Sequence, residues 1–497
     1  MPPTESYWYR QVSTPRYFPL LNRFFFVAGL ILIIIFFNWL APGQPNLSLR
    51  AAASLMLIVA GYPSWRWMSG HDRGLPFMCL LPMVYSLYFS IPVFLLEQFS
   101  WDVGPPLPQS WLNKAEWLAL LCLVIIEFSY YVSGPFLDRF MPHPRMNWTN
   151  LVFVKFAALV LGAIGLMTYL LDIKLQIKGG AQQIIVLIGD LSLIATTILY
   201  AMALTTGLDT ITKLILWFIL IPSRMVLSLA AGATAYAFAT PLLLLFLYAS
   251  VRRRLPWGFL LAGITLIFII RPIVAPLRQL TWQGGPLAGS SELTKLKVGA
   301  DLARREVGGE VPYETLLQFM AQRLGEINSF ALIAHLTPRV VPYWYGGSYS
   351  SLKYKFMPRL LFPGKPSDIN FEFPHRYGLT QQSDNVTLIG DPLPEEFYEN
   401  FGVWGVVFGS IIFGIMYRSI HALFVHRAMG LGALACGVYI LTSFFRVEWQ
   451  QAVVIGGIIY ALPFLALINF FVSVGEMHDD TAPLRVHSSR ELADRQI

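Results

Sequence analysis

Residues Phe24–Leu40 read FFFVAGLILIIIFFNWL and contain no charged residue. A helix that crosses the hydrocarbon core of a bilayer needs about 20 predominantly apolar residues, within a range of roughly 17–25. A helix on the surface of a soluble protein keeps a polar face, which this stretch lacks. The stretch has no convincing cleavage site with small residues, so it is interpreted as a signal anchor that stays in the protein.

Similar blocks recur along the 497-residue chain, which is 55% hydrophobic and 13% charged. Soluble domains are about 25% charged. We predict membrane-spanning helices at residues 24–40, 49–67, 77–97, 115–135, 151–171, 183–205, 212–229, 232–251, 257–275, 402–420, 430–446 and 452–474. One interrupted segment is the alternative for 212–251, although the turn-like Ala230–Ala233 favours a hairpin. The predicted fold class is an all-α polytopic membrane protein with about 12 transmembrane helices.

The arginines predict the orientation of these helices. Arg10, Arg16 and Arg23 precede the first span, and Arg252–Arg254 follow the eighth. Cytoplasmic loops carry an excess of Arg and Lys, so both termini are expected in the cytoplasm. Lys174 and Lys178 are exceptions, because they fall on a predicted outer loop.

The predicted domain organisation places a large cap outside the membrane. Residues 1–275 hold nine spans, 276–399 form the cap on the extracytoplasmic face, 400–474 hold three spans, and 475–497 form a disordered cytoplasmic tail. Loops longer than about 15 residues are usually functional or disordered, and this one is rich in aromatic residues. Within it, residues 313–335 have helical apolar spacing and predict an amphipathic helix on the membrane or against the bundle.

Several classes of function are excluded by composition and motifs. The net charge of +7 comes from arginines at helix ends and in one loop, so no nucleic-acid partner is expected. The chain has no P-loop, no GxGxxG fingerprint, no HExxH and no GxSxG, and it has no carboxylate pair for a metal–nucleotide sugar. Cys79, Cys122 and Cys436 lie in apolar blocks without a CxxC pair and are interpreted as buried small residues. We expect no cofactor and no metal.

Ionisable residues inside apolar blocks are candidates for function, because their burial in a membrane is costly. Arg224 follows Pro222 in the seventh span, where it lines a polar pocket, snorkels to the membrane surface or bonds to backbone carbonyls. Glu127 lies in the fourth span, where a hydrogen-bonded carboxyl that joins two helices is the favoured interpretation.

The outer segment carries arginines and, at its end, a group of acids. Arg271, Arg305, Arg323 and Arg359 together suit an anion-binding surface, because guanidinium groups bind phosphate oxygens in a bidentate way. Each of them could instead be structural, as in an ion pair between Arg323 and Glu326. Asp391, Glu395, Glu396 and Glu399 precede the tenth span, where they provide either a general base or a solvated helix start.

Two runs, PYWYGGSYSSLKYKFMPRLLFPGKP (342–366) and PEEFYENFGVWGVVFGSIIFG (394–414), resemble the Wzy-type oligosaccharide repeat-unit polymerases. The P-R-x-x-x-P-x-K-P element of that family matches Pro358, Arg359, Pro363, Lys365 and Pro366. Its G-E-x-Y-x-N-F-G element matches Glu396, Tyr398, Asn400, Phe401 and Gly402, with Glu395 in place of the first glycine. The motif resemblance covers about Arg304 to Gly414.

The resemblance implies a GT-C-like membrane glycosyltransferase that polymerises O-antigen or exopolysaccharide repeat units at the periplasmic face of the bacterial inner membrane. Donor and acceptor would both be oligosaccharides on undecaprenyl pyrophosphate, and a chain-length-regulating co-polymerase is an expected partner. We expect Arg305, Arg323 and Arg359, then Arg271 and Arg224, to bind the pyrophosphate. Glu396 is the expected base, with Glu326 in reserve. The expected sugar-stacking residues are Tyr343, Trp344, Tyr345 and Tyr349, for which cap packing is an equal alternative.

Two other functions fit a similar membrane frame. An O-antigen ligase would transfer finished polymer to its final acceptor. The two motifs argue against it only because they are typical of the polymerase family. A lipid-oligosaccharide flippase would be expected to show internal repeats with charged residues at the membrane midplane, and no convincing repeat relates the two halves.

Overall fold

The computed structural model describes residues 19–40, 46–72, 76–95, 107–141, 148, 150–175, 180–230, 234–252, 254, 258, 280, 290, 292–307, 324–355, 357, 362, 364, 372–380, 382, 389–423, 431–444 and 449–479. These residues form helices joined by turns and loops, and no strand occurs among them. The predicted all-α class is therefore confirmed for the described part of the chain.

The helices follow the apolar blocks of the sequence. They are α1 (Leu20–Leu40), α2 (Leu47–Met68), α3 (Phe77–Phe89), α4 (Ile91–Leu95), α5 (Gln109–Phe140), α6 (Leu151–Leu175), α7 (Gly180–Gly189), α8 (Leu191–Thr205), α9 (Thr210–Leu214), α10 (Ile221–Ala230), α11 (Thr234–Arg252), α12 (Glu292–Val307), α13 (Glu326–Leu336), α14 (Glu372–Arg376), α15 (Leu393–His421), α16 (Leu431–Phe444) and α17 (Gln451–Asp479). A π-helical segment, Ile215–Leu220, joins α9 to α10, and a 3-10 helix, Gly347–Tyr354, lies between α13 and α14.

Nine helical segments of the described chain are long and apolar enough to cross a membrane. They are Leu20–Trp39, Leu47–Met68, Phe77–Phe94, Gln109–Phe140, Leu151–Asp172, Ile184–Thr205, Thr210–Leu227, Leu393–His421 and Gln451–Phe471. Helices α11 and α16 coincide with two further predicted spans, and most of the span predicted at 257–275 lies outside the described residues. These helices are compatible with a multi-pass membrane protein, and the total of about 12 spans stays a prediction.

Two predicted spans are interrupted. The span at 77–97 divides into α3 and α4 at Ser90, whose hydroxyl donates to the Ala53 carbonyl on α2 at 2.7 Å. The span at 183–205 divides into α7 and α8 at Asp190. Hydropathy does not reveal such breaks, because it averages side-chain values over a window and carries no information about backbone angles.

Helices α5 and α15 run parallel at the centre of the fold. Lys114 reaches Tyr398 at one end, and Ser410 donates to Cys122 at 3.1 Å in the middle. Gly414 brings the helices together, because a Cβ there would lie 2.5 Å from the Ile126 carbonyl oxygen. Small residues allow such close approach between membrane helices.

The C-terminal ends of α5 and α15 carry a separate set of charges. Arg418 is buried, is bonded to Asp138, and lies 2.9 Å from His421 Nδ1. Arg66 pairs with Asp72 at 3.0 Å close to the same end of α5. The fold therefore separates these arginines from the acidic N-terminal end of α15. Which end faces the cytoplasm stays a prediction.

The described part of the predicted amphipathic helix at 313–335 is α13. It packs against α3, α5 and α15, and Ile327, Phe330 and Ala331 on it have no exposed surface. Of the two predicted alternatives, packing against the bundle is thus the one found, while residues 308–323 lie outside the described part of the chain.

Candidate functional site

The acidic motif forms its own short segment because α15 is broken at its ninth and tenth residues. Phe401 (φ −141°, ψ 17°) and Gly402 (φ 63°, ψ −144°) leave the helical conformation, so residues 393–400 precede the break and the helix resumes at Val403. The φ of Gly402 is one that side chains with a Cβ rarely adopt. A Cβ there would also lie 2.6 Å from the Tyr343 hydroxyl. The glycine of the N-F-G element therefore has a conformational role.

The segment of residues 393–400 packs against the first turns of the helix that follows the break. A Cβ on Gly409 would come within 2.6 Å of the Phe397 ring, and Gly405 faces the Phe397 carbonyl. Two glycines four residues apart thus give room for Phe397 to pack on the helix that follows it. This packing fixes the angle at which the acidic segment enters the membrane span.

The loop at residues 344–346 completes the C-terminal end of the acidic segment. Trp344 N–H donates to the Glu399 carbonyl at 3.0 Å and Tyr345 N–H to the Asn400 carbonyl at 3.2 Å. Gly346 N–H donates to Asn400 Oδ1 at 2.8 Å. The last carbonyls of a helix lack intrahelical donors, and these backbone amides supply them. The two motif runs that carry the family resemblance are therefore in direct contact.

Asn400 connects that loop to the acidic residues. Its side-chain amide donates to Ser348 Oγ at 2.8 Å and to the Glu396 carbonyl at 2.7 Å. Asn400 also accepts the bond from Gly346, so both the oxygen and the nitrogen of its fully buried side-chain amide are hydrogen-bonded. A buried amide with its partners satisfied holds neighbouring segments in one arrangement.

Glu396 is fully buried at the centre of this network. Ser348 Oγ donates to its Oε1 at 2.8 Å, and the backbone N–H of Gln451 donates to its Oε2 at 2.6 Å. Gln451 is the first residue of α17, and a helix N-terminus stabilises a negative charge. Three separate parts of the chain, the 3-10 helix, α15 and α17, thus converge on one carboxylate.

Glu395 points to a different neighbour. Its Oε1 accepts from Ser329 Oγ on α13 at 2.6 Å, and the charge of Glu326 acts on it. The reserve base, Glu326, therefore lies beside Glu395 on the α13 side of the cluster, whereas Glu396 faces α17.

Asp391 and Glu399 form a second acidic pair. Both are fully buried, and the charge of Glu399 acts on Asp391. Within the described residues, none of their carboxyl oxygens has a hydrogen-bond partner. Burial raises the pKa of Asp391 well above its ordinary value, and the charges of Glu399, Glu396 and Glu395 raise it further.

Cationic side chains lie around the acidic segment. Lys114 Nζ donates to Tyr398 Oη and to the Ala334 carbonyl, each at 2.7 Å. Arg376 stacks on Trp344 with 4.6 Å between guanidinium carbon and ring centre, and donates to the Pro342 carbonyl at 2.7 Å. Lys355 is almost fully buried with its methylene groups against Gly456 of α17.

The predicted arginines divide into two groups. Arg224 is buried and pairs with Asp190 at 2.7 Å at the junction of α7 and α8. Arg305 is exposed on α12 and pairs with Asp301 at 3.1 Å, so neither contact involves Glu396. The other predicted arginines and the rest of the P-R-x-x-x-P-x-K-P element lie outside the described residues: Arg271, Arg323, Arg359, Pro358, Pro363, Lys365 and Pro366. Their roles stay predictions.

The four predicted sugar-stacking residues all lie beside the acidic segment, with different exposure. Tyr345 is 75% exposed and has a positive φ of 48°, held by its bond to Asn400. Tyr343 packs edge to face on it with 6.1 Å between ring centres. The Arg376 guanidinium covers one face of the Trp344 ring, and Tyr349 borders an apolar groove. Tyr345 is thus the aromatic ring most available to a ligand.

Lys114, Ser348 and Gln451 were missed as site residues by sequence reasoning. Lys114 meets Tyr398 across 284 positions of sequence, and the α17 amide meets Glu396 across 55. No local pattern signals such contacts. The described residues contain no group of three His, Cys, Asp or Glu side chains placed to hold a metal ion.

Comparison with known proteins gives a family without an assigned function. The chain belongs to the family described as a domain of unknown function, DUF8712, whose profile matches residues 131–476. The matched range includes Ser348, Glu396, Gly402 and Gln451 and begins after Lys114. No curated protein and no solved structure matches the chain.

Proposed function

We propose that this member of the DUF8712 family polymerises oligosaccharide repeat units carried on undecaprenyl pyrophosphate, by glycosyl transfer at the periplasmic face of the inner membrane. The observation that carries the proposal is the convergence on Glu396. A fully buried carboxylate receives two hydrogen bonds, from Ser348 and Gln451, where a helix break meets the start of a membrane span. Intramembrane and membrane-edge carboxylates are costly and mark functional sites by default.

The proposed reaction balances without a nucleotide. A hydroxyl oxygen on the non-reducing sugar of the acceptor attacks the anomeric carbon of the donor glycan and forms the new glycosidic bond. The bond from that carbon to the pyrophosphate oxygen breaks, and its electron pair leaves with the lipid pyrophosphate. The hydroxyl proton passes to the Glu396 carboxylate, as in general base catalysis.

The leaving pyrophosphate needs cationic donors that develop their interaction as the bond breaks. Lys114 and Arg376 flank the acidic segment, and Arg323 and Arg359 remain the predicted additions from the outer segment. The raised pKa of Asp391, caused first by burial, favours its protonated form, which lowers the negative charge of the cluster. That reduction limits the repulsion between the carboxylates and an anionic substrate.

Access to Glu396 requires a local rearrangement. Both of its oxygens are already bonded, and the side chain has no exposed surface. A substrate hydroxyl therefore replaces Ser348 or Gln451 as a partner. The Ser348 hydroxyl is the simpler one to displace, because it is a side-chain group that rotates, whereas the Gln451 amide belongs to the backbone of α17.

The lipid-linked glycans of a deletion strain test the proposal. Loss of a polymerase leaves single repeat units on the lipid at the outer face, and complementation with the intact chain restores the polymer ladder. Single units retained at the inner face would instead identify a flippase. Long chains retained on the undecaprenyl carrier would identify a ligase, and normal polymer on its usual acceptor would contradict all three.

A further inference from the structure

An apolar groove of about 440 Å³ runs along α15 beside α17. Its wall on α15 includes Phe401, Trp404, Phe408 and Ile412, and its opposite wall includes Gln451 and Ile455. The groove lies between two segments that are long and apolar enough to cross a membrane. It is therefore a groove along the side of these two helices, and not a pocket in the outer cap.

The α15 wall is a continuous exposed stripe. Trp404, Phe408 and Ile412 follow each other at four-residue spacing, which places them on one face of the helix. Their exposures are 69%, 57% and 66%. The groove extends as far as Met416, so from Trp404 it covers 12 residues, or about 18 Å at 1.5 Å per residue. That length is more than half of a hydrocarbon core about 30 Å thick.

The upper end of the groove is continuous with the acidic site. Gln451, which lines the groove, donates its backbone N–H to Glu396. Tyr349, which also lines it, directly follows Ser348, the other donor to Glu396. A chain lying in the groove therefore ends, at its outer side, beside the Glu396 carboxylate.

We propose that this groove binds the polyprenyl chain of the lipid-linked glycan and so places the attached pyrophosphate at Glu396. This inference rests on the proposed function. The occupant is the polyprenyl chain of the substrate and not an ordinary acyl chain, because the groove ends beside Glu396, where the proposed reaction takes place. The pyrophosphate of such a lipid would meet the cationic side chains that flank the acidic segment, Lys114 and Arg376.

Binding of undecaprenyl phosphate to the detergent-purified chain, measured by native mass spectrometry, tests the groove. Because burying a large side chain is worth more than one tenfold step in affinity, Trp404→Ala and Phe408→Ala are each expected to weaken binding roughly tenfold. Ile412→Trp, which fills the groove, should weaken it at least as much. Phe470→Ala is the matched control, because Phe470 is 61% exposed on α17 and does not line the groove.

Two results would overturn the inference: unchanged affinity in Trp404→Ala, or equal competition by dioleoyl phosphatidic acid, which would make the groove a general lipid contact. Trp404 is largely exposed, so its substitution leaves the fold intact even where Ile412→Trp does not fold. Groove-dependent binding without polymerisation would contradict the proposed function alone. Polymerisation with an unchanged KM in the groove variants would contradict the groove alone.

Discussion

The carboxylate of Glu396 and the first backbone amide of α17 are joined directly, because Gln451 N–H donates to Glu396 Oε2 over 2.6 Å. This bond connects the acidic segment of α15 to a second membrane helix. It also places the start of the apolar groove next to the carboxylate, since Gln451 belongs to both. The proposed chemistry and the proposed lipid site therefore share one residue.

Gly402→Ala should destabilise the protein. The substitution forces a Cβ into a backbone with φ of 63°, for which we expect a cost of about 1–3 kcal/mol. The Tyr343 hydroxyl can move aside, so the backbone angle accounts for most of that cost. Thermal unfolding in detergent measures it. Gly29→Ala is the control, because no atom lies within 4 Å of a Cβ on Gly29 in α1, and its stability should not fall. Equal Tm values for the two variants would contradict the conformational role of Gly402.

Ser348→Ala and Asn400→Asp should each disconnect the network around Glu396. Ser348→Ala removes a donor to the carboxylate, and Asn400→Asp removes the amide that donates to Ser348 and to the Glu396 carbonyl. An unsatisfied buried polar group costs about 1–3 kcal/mol, so Asn400→Asp should lower Tm as well as activity. Ser350→Ala is the matched control, because Ser350 is an exposed residue of the same 3-10 helix. Full polymer length in Ser348→Ala and Asn400→Asp would show that the network does not position Glu396.

Asp391 predicts a pH dependence of stability. Its pKa in the folded protein is raised, first by burial and then by the charges of Glu399, Glu396 and Glu395. The folded state therefore holds the proton more tightly than the unfolded state. Its stabilising contribution is complete below the ordinary carboxyl pKa and is lost as pH rises through the folded-state pKa. We expect Asp391→Asn to reduce the loss of Tm towards higher pH.

Asp209 provides a control of opposite sign. Its side-chain bond with Lys155, and then the Thr212 amide, lower its pKa, so its contribution is present above the ordinary carboxyl pKa and is lost as pH falls through the lowered folded-state value. Asp209→Asn should lower Tm at neutral pH, reduce the further loss of Tm towards acid, and leave the slope of the basic limb unchanged. A basic limb unchanged by Asp391→Asn would show that Asp391 does not titrate in this way.

Arg224 tests whether a buried arginine in the span is structural or binds substrate. Its ion pair with Asp190 is 5% exposed on the arginine side and 17% on the aspartate side. Removing one partner of a buried pair costs up to about 3–5 kcal/mol, because the other charge stays buried. Asp190→Asn and Arg224→Met should therefore each lower Tm, and the double variant should recover part of the loss. If Arg224→Met instead keeps its Tm and loses affinity for undecaprenyl phosphate, Arg224 belongs to the substrate site.

The sequence predicted the helices well because apolar blocks of sufficient length leave few alternatives. It also singled out Glu396, Asn400 and Gly402, and the structure gives each a definite contact. The breaks at Ser90, Asp190 and Phe401 were not predicted, since backbone angles there depend on tertiary partners. Lys114 was missed for the same reason, because its partner Tyr398 comes from a distant part of the chain.

The polymer ladder made by purified protein in liposomes containing the lipid-linked repeat unit tests the central claim most directly. The intact chain should extend single units into a ladder, and Glu396→Gln should lower the rate by about 10²–10⁴-fold, the usual contribution of a general base. Glu395→Gln, its equally buried neighbour, should retain most of the activity. The account is contradicted if the intact chain makes no ladder, or if Glu396→Gln makes one as fast as Glu395→Gln.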